Sequence, residues 1–173
     1  TACLGTVIFS GGGSYANFIL NQGTAKLGAT NGLSTSATAD VAVSAAGNID
    51  LNGYNQTLVG ITRSSSNGAI IGNGSETSDS TLTTTGTSTY AGNIANVIGT
   101  PTTPKTTSLV VNSGNLTLTG GFTAQNITIK NTATLTIGSG GGDGIAPVSK
   151  LVTINNGGTL RYSGSNRVQN DTV

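Results

Sequence analysis

The chain has 173 residues, only 8% of them charged, and a formal net charge of +1, against a usual charged share of about 25%. Its seven basic residues, Lys26, Arg63, Lys105, Lys130, Lys150, Arg161 and Arg167, are scattered; they form no patch able to neutralise several phosphates, which argues against nucleic acid as a partner. No apolar run reaches the roughly 18 residues of a membrane span, and Thr, Gly, Ser and Asn supply more than half of the chain.

In chain order the first apolar pairs are Val7/Phe9, Phe18/Leu20, Ala25/Leu27, Val41/Val43 and Ile49/Leu51. Each has one residue between its members, so each predicts a short strand with two inward side chains. Residues 52 to 108 are less regular, with candidate strands at Leu58 to Ile61, Ile70/Ile71, Leu82 and Ile94 to Ile98. The stretch from 99 to 107 carries Pro101 and Pro104 and reads as a loop, because proline cannot donate to a ladder. Regular pairs then return: Leu109/Val111, Leu116/Leu118, Ile127/Ile129, Leu135/Ile137, Val152/Ile154 and Leu160/Tyr162. Between the last four lies a second loop, the glycine-rich residues 138 to 150.

Strand starts within a doublet are 7 or 8 residues apart, and successive doublets are 18 to 25 apart. No segment shows helical spacing, and the abundant Thr, Val and Ile favour strands. A repeat near 20 residues built from short strands predicts a solenoid in which each strand pairs with its equivalent one coil away. Many short strands with turns would also suit an antiparallel sandwich or barrel. Constant spacing inside the doublets, with a variable loop at one corner, favours the solenoid. Asn31-Gly32, Asn52-Gly53, Asn67-Gly68, Asn73-Gly74 and Asn156-Gly157 are expected to supply positive φ at the corners. Stacked Thr and Asn side chains are expected to hydrogen-bond to their counterparts in the next coil. The fold class is therefore all-β, a parallel β-helix of about 18–25 residues per coil. The whole of 1–173 is one domain, read as a segment or subunit of a longer rod or filament.

Three stretches carry a resemblance. "NIDLNGYNQTLVGI" (48 to 61) holds Ile49, Asp50, Leu51, Asn52, Gly53, Tyr54, Asn55, Gln56, Thr57 and Leu58; "TLTTTGTSTYAGNI" (81 to 94) holds Leu82, Thr83, Gly86, Thr89, Tyr90 and Gly92; the third is "SGNLTLTGGFTAQNITIKNTATLTIG" (113 to 138). Together with residues 25 to 53 they resemble the passenger-associated β-strand repeats of bacterial autotransporters and related surface proteins, over residues 18 to 162. The resemblance implies a right-handed parallel β-helix, secretion and a location at the bacterial surface or in the extracellular space. It implies no catalytic residue. No secretory leader is legible within these residues, so export implies one removed or upstream.

The residues offer little chemistry. There is no histidine, which removes the commonest general base and the usual triads. The carboxylates are Asp40, Asp50, Glu76, Asp79, Asp143 and Asp171, and only Glu76 and Asp79 are close in sequence; a polysaccharide-cleaving site on a β-helix would need such a cluster. The plain reading of "GNGSETSDS" is a solvated loop. "GSGGGDG" half resembles a calcium-binding glycine turn, with Asp143 as its ligand, but no second copy stacks above it. No phosphate loop is present, since no Lys-Ser/Thr follows the glycines. The sequons at Asn55, Asn73, Asn115, Asn126 and Asn170 follow from composition. Cys3 is the one cysteine, read either as an incidental thiol or as the partner of an intermolecular disulfide. No cofactor or metal is expected, and no catalytic residue.

A solenoid end is an open sheet edge that invites pairing. The candidate end-to-end stacking residues are Val7 and Phe9 at one end and Leu160 and Tyr162 at the other. The expected partner is a second copy or a contiguous stretch of chain. The functional expectation is a non-catalytic structural protein: a stalk, an adhesin or a self-stacking fibre. Two alternatives stand beside it, a module binding host or matrix glycans through exposed aromatics and, more remotely, a polysaccharide lyase or hydrolase.

Overall fold

A computed structural model describes residues 5–41, 46–63, 68–138 and 151–163. Among them the chain is all-β. It runs through β1 (Thr6–Phe9), β2 (Asn17–Leu20), β3 (Gly23–Leu27), β4 (Thr38–Val41), β5 (Gly47–Asp50), β6 (Gln56–Leu58), β7 (Gly60–Thr62), β8 (Ala69–Asn73) and β9 (Ser80–Thr84). It continues through β10 (Ser88–Tyr90), β11 (Asn93–Val97), β12 (Thr107–Val111), β13 (Asn115–Leu118), β14 (Asn126–Ile129), β15 (Thr134–Ile137), β16 (Leu151–Ile154) and β17 (Thr159–Tyr162).

Each strand pairs in parallel with strands one coil away, which makes the molecule a β-solenoid with three faces. The first face stacks β1-β3-β5-β8-β11, and the second stacks β6-β9-β12-β14-β16. The third consists of β2-β4-β7 and then β10-β13-β15-β17. Its two parts abut where the Gly86 N–H donates to the Val59 carbonyl at 2.7 Å and the Ile61 N–H donates to Ser88 Oγ at 3.2 Å. The steps run from 18 residues, Thr6 to Thr24, to 28, Ser88 to Leu116. They exceed 25 only in the middle of the chain, where loops 74–79 and 98–106 bulge from the corners.

Three faces explain why the sequence alternates between regular and irregular stretches. The doublets β2/β3 and β4/β5 are third-face strands followed by first-face strands. Between these two doublets the second face holds no strand; the loop carrying Leu33 fills it, with the Asn31 N–H donating to the Asn55 carbonyl at 2.8 Å. The doublets β12/β13, β14/β15 and β16/β17 are second-face strands followed by third-face strands. Between β13 and β14 the first face thins to Phe122, which makes one isolated bridge to Ile94. In between, all three faces carry strands and the pairwise rhythm is lost.

Inward side chains stack into continuous columns. On the first face Val7, Ala25, Ile49 and Ile71 lie in register; on the second, Leu82, Leu109, Ile127 and Val152 do so. Alternation makes every second residue inward, and stacking removes it from water on both sides. Phe122 and Tyr90 are the bulkiest of the fully buried side chains. The strand expected from Val41/Val43 lies earlier, with Ala39 and Val41 inward and Val43 outside the described residues. Ala39 stacks between Phe18 and Ile61, where two bulky neighbours leave room for a small residue.

The corners divide. Asn31 (φ 54), Asn52 (φ 49), Gly53 (φ 82) and Gly157 (φ 82) adopt the expected left-handed conformation, and Asn67 lies outside the described residues. Asn73-Gly74 does not; Asn73 is instead fully buried at the end of β8. The inter-coil polar stacking is only in part side chain to side chain. Asn31 Oδ1 accepts from the Thr57 N–H at 2.9 Å and Asn55 Oδ1 from the Thr81 N–H at 2.8 Å. The amides thus mostly bond backbone of a neighbouring coil, and the expected Thr–Asn pairing between coils is present where Thr136 Oγ1 donates to Asn115 Oδ1 at 3.4 Å, beside Asn96 Nδ2 donating to Gln125 Oε1 at 3.3 Å.

Candidate functional site

The ends of the solenoid are where apolar surface is left uncovered. Among the described residues the exposed large hydrophobic side chains are Val7, Ile8, Ile19, Leu151, Ile154 and Tyr54. Val7 and Ile8 lie on β1 and Ile19 on β2, the edge strands at one end; Leu151 and Ile154 lie on β16, an edge strand at the other. Val7 faces inward, in register with the fully buried Ala25, yet is 58% exposed. Ile154 faces inward, in register with the fully buried Ile129, and is 48% exposed. Their orientation is that of core residues, and among the described residues no strand pairs with the outer side of β1 or β16.

The four residues singled out from the sequence occupy these ends but differ in cover. Phe9 is half-buried, its ring edge-on to Phe18 with centroids 5.4 Å apart at 88°. Leu160 and Tyr162 are half-buried on β17 and pack against the core. Val7 and Phe9 belong to the first face and Leu160 and Tyr162 to the third, so the fold does not place them in one column. The edge strand of the third face at the opposite end is β2, with Phe18 and Leu20 inward and Ile19 outward. Sequence reasoning passed over Ile8, Ile19 and Leu151. The available signal was an apolar residue at an outward position of a terminal strand. Cys3 and Asp143 lie outside the described residues.

Glu76 and Asp79 serve as fasteners between loops. Glu76 Oε1 accepts from the Thr102 N–H at 2.7 Å and from Thr102 Oγ1 at 2.8 Å. Asp79 Oδ1 accepts from the Thr106 N–H at 2.7 Å. The backbone amide and hydroxyl of Thr102 hold the Glu76 carboxyl below the usual carboxylate range. Thr106, with Lys105 as a smaller influence, does the same for Asp79. A general acid needs the opposite shift; the loop is exposed, as a solvated loop is expected to be, and its carboxylates are in addition engaged by the next coil's loop.

Asp50 is nine-tenths buried, accepts from the Asn52 and Gly74 N–H groups at 2.8 Å each and lies 3.6 Å from Lys26 Nζ. Among the sequons, the Asn55 amide oxygen is engaged by Thr81 and Asn73 is buried. The Tyr90 phenol is buried and its pKa is raised by desolvation. Among the described residues no three His, Cys, Asp or Glu side chains cluster to hold a metal ion, and no helix is long and apolar enough to cross a membrane. Comparison with protein-family models, curated proteins and solved structures finds nothing that matches this chain.

Proposed function

We propose that this chain is a non-catalytic structural protein of the bacterial surface or extracellular space, a rod-forming unit of a stalk, adhesin or self-stacking fibre. The observation that carries this reading is that, among the described residues, inward side chains such as Val7 and Ile154 lie half exposed on the outermost strands while the columns between them are sealed. Parallel stacking propagates without limit as long as the next coil offers inward apolar residues at the same spacing. The resemblance to autotransporter passenger repeats supports the surface location. Its most specific stretch, Ile49 to Leu58, forms the corner from β5 to β6, with Asn52 and Gly53 at positive φ and Gln56 buried. The engaged state of Glu76 and Asp79 supports a structural role over polysaccharide cleavage, and Tyr54 is the one large aromatic exposed among the described residues, which gives glycan stacking a narrow platform.

The test is electron microscopy of the purified chain over a wide concentration range. Rods or filaments of the solenoid's width are expected. Isolated particles at every concentration, together with depolymerisation of a polysaccharide that is lost on Glu76→Gln, would overturn the reading.

A further inference from the structure

Among the described residues the third face runs the length of the solenoid, with β2 and β17, strands of equal length, outermost. Their outer edges can be read from the ladders each makes inside the chain. The Thr38 N–H donates to the Ala16 carbonyl at 2.9 Å. By alternation Ala16, Phe18 and Leu20 turn their backbone groups toward β4, while Asn17 and Ile19 turn theirs to the outer edge. At the other end the Thr159 N–H donates to the Ala133 carbonyl at 2.9 Å and the Ser163 N–H to the Ile137 carbonyl at 3.0 Å, so Leu160 turns its backbone groups to the outer edge.

We propose that two copies of this chain join head to tail along the third face, β17 of one copy pairing in parallel with β2 of the next, Leu160 in register with Phe18. This deepens the self-stacking reading above and rests on it. Three conditions meet in this one register. Leu160 and Tyr162 meet Phe18 and Leu20, so both inward columns continue across the joint; a slip of one residue would turn them outward. The Ile19 N–H faces the Leu160 carbonyl and the Leu160 N–H faces the Asn17 carbonyl, the same pattern that joins β2 to β4. The strands overlap over their whole four-residue length. The contact repeats the interface already present between β15 and β17, which is why a second copy, rather than an unrelated partner, fits it. The same joint brings the end of the first face that carries Val7 in one copy against the end of the solenoid that carries Ile154 on the second face of the other, so both inward residues lie at the apposed ends. Because the two edges differ, the contact is heterologous and propagates as a filament.

The register sets the outward side chains Arg161 and Ile19 opposite each other, within reach of a disulfide. In a Cys3→Ser background, single variants Ile19→Cys and Arg161→Cys are oxidised separately and as a mixture. A covalent heterodimer in the mixture and none in either variant alone is expected. A homodimer of either variant would show like ends pairing and overturn the head-to-tail joint. Assembly of the unmodified chain without crosslinking in the mixture would overturn this register while leaving self-stacking intact. A unmodified chain that stays monomeric at all concentrations would overturn self-stacking itself. Ile19→Pro gives the complementary readout: it removes a donor only at the outer edge, so its thermal unfolding is expected to match the parent while filaments are lost, and filaments of unchanged length would overturn the proposal.

Discussion

At Asn73 a fully buried amide makes four hydrogen bonds reaching into three successive coils. Its Oδ1 accepts from the Gly53 N–H at 2.9 Å and the Ser75 N–H at 3.0 Å, and its Nδ2 donates to the Ser78 carbonyl at 2.8 Å and the Thr106 carbonyl at 3.1 Å. Removing the amide strips the buried Ser75 N–H and the partly buried Gly53 N–H of these bonds, while the Thr106 carbonyl keeps the Ser80 N–H. Asn73→Ala is therefore expected to cost about 3 kcal/mol, measured as a fall in the urea unfolding midpoint. A local rule reads Asn-Gly as a positive-φ turn, and nothing within the dipeptide announces that its amide is wanted by three coils. Thr132 presents the converse case. It takes φ 64 at a corner where Gly114 and Gly157 take φ 71 and φ 82, and a β-branched side chain is strained there. Thr132→Asn is expected to stabilise the protein by about 1 kcal/mol, because Asn tolerates this conformation without the entropy cost of glycine; a raised thermal midpoint checks it.

Among the elements, the loop holding Pro101 and Pro104 is fixed by its neighbour one coil back. Glu76 and Asp79 grip it through Thr102 and Thr106, and both carboxyls titrate lower in the fold than when free. A group with a depressed folded pKa contributes stability above its unfolded pKa and loses it as pH falls through the folded one. Protection of the Thr102 and Thr106 amides is thus expected to persist at neutral pH and to decline only below the usual carboxylate range. With Glu76→Gln and Asp79→Asn the decline should disappear; amide NMR against pH is the measurement. The inter-loop contacts were not legible, since they join residues 26 and 27 positions apart in stretches with no periodicity. The strands from Leu109 to Ile137 were legible because their alternation is clean and their sheets are two-sided in composition. Phe122 was not, lying in a stretch that makes a single bridge. Phe122→Ala is expected to cost about 4 kcal/mol through the cavity it leaves, again read by denaturant unfolding.

For the molecule as a whole, stability follows position in the stack. A central coil is held by two neighbours and an end coil by one, so opening free energy is expected to grade from the ends inward. Native-state hydrogen exchange should find the slowest amides in β8, β9 and β12 and the fastest in β1, β2, β16 and β17; uniform protection would contradict this one-dimensional picture. The sequence by itself determined the all-β class, the coil spacing and most inward columns, because period-2 alternation and repeat length are local properties written directly into residue order. Only the tertiary structure decided that there are three faces, which face each doublet belongs to, what Asn73, Glu76 and Asp79 hold, and which edge strands come to lie at the two ends of one stack. Those depend on contacts between residues a full coil apart, and coils of unequal length hide that register from any reading along the chain.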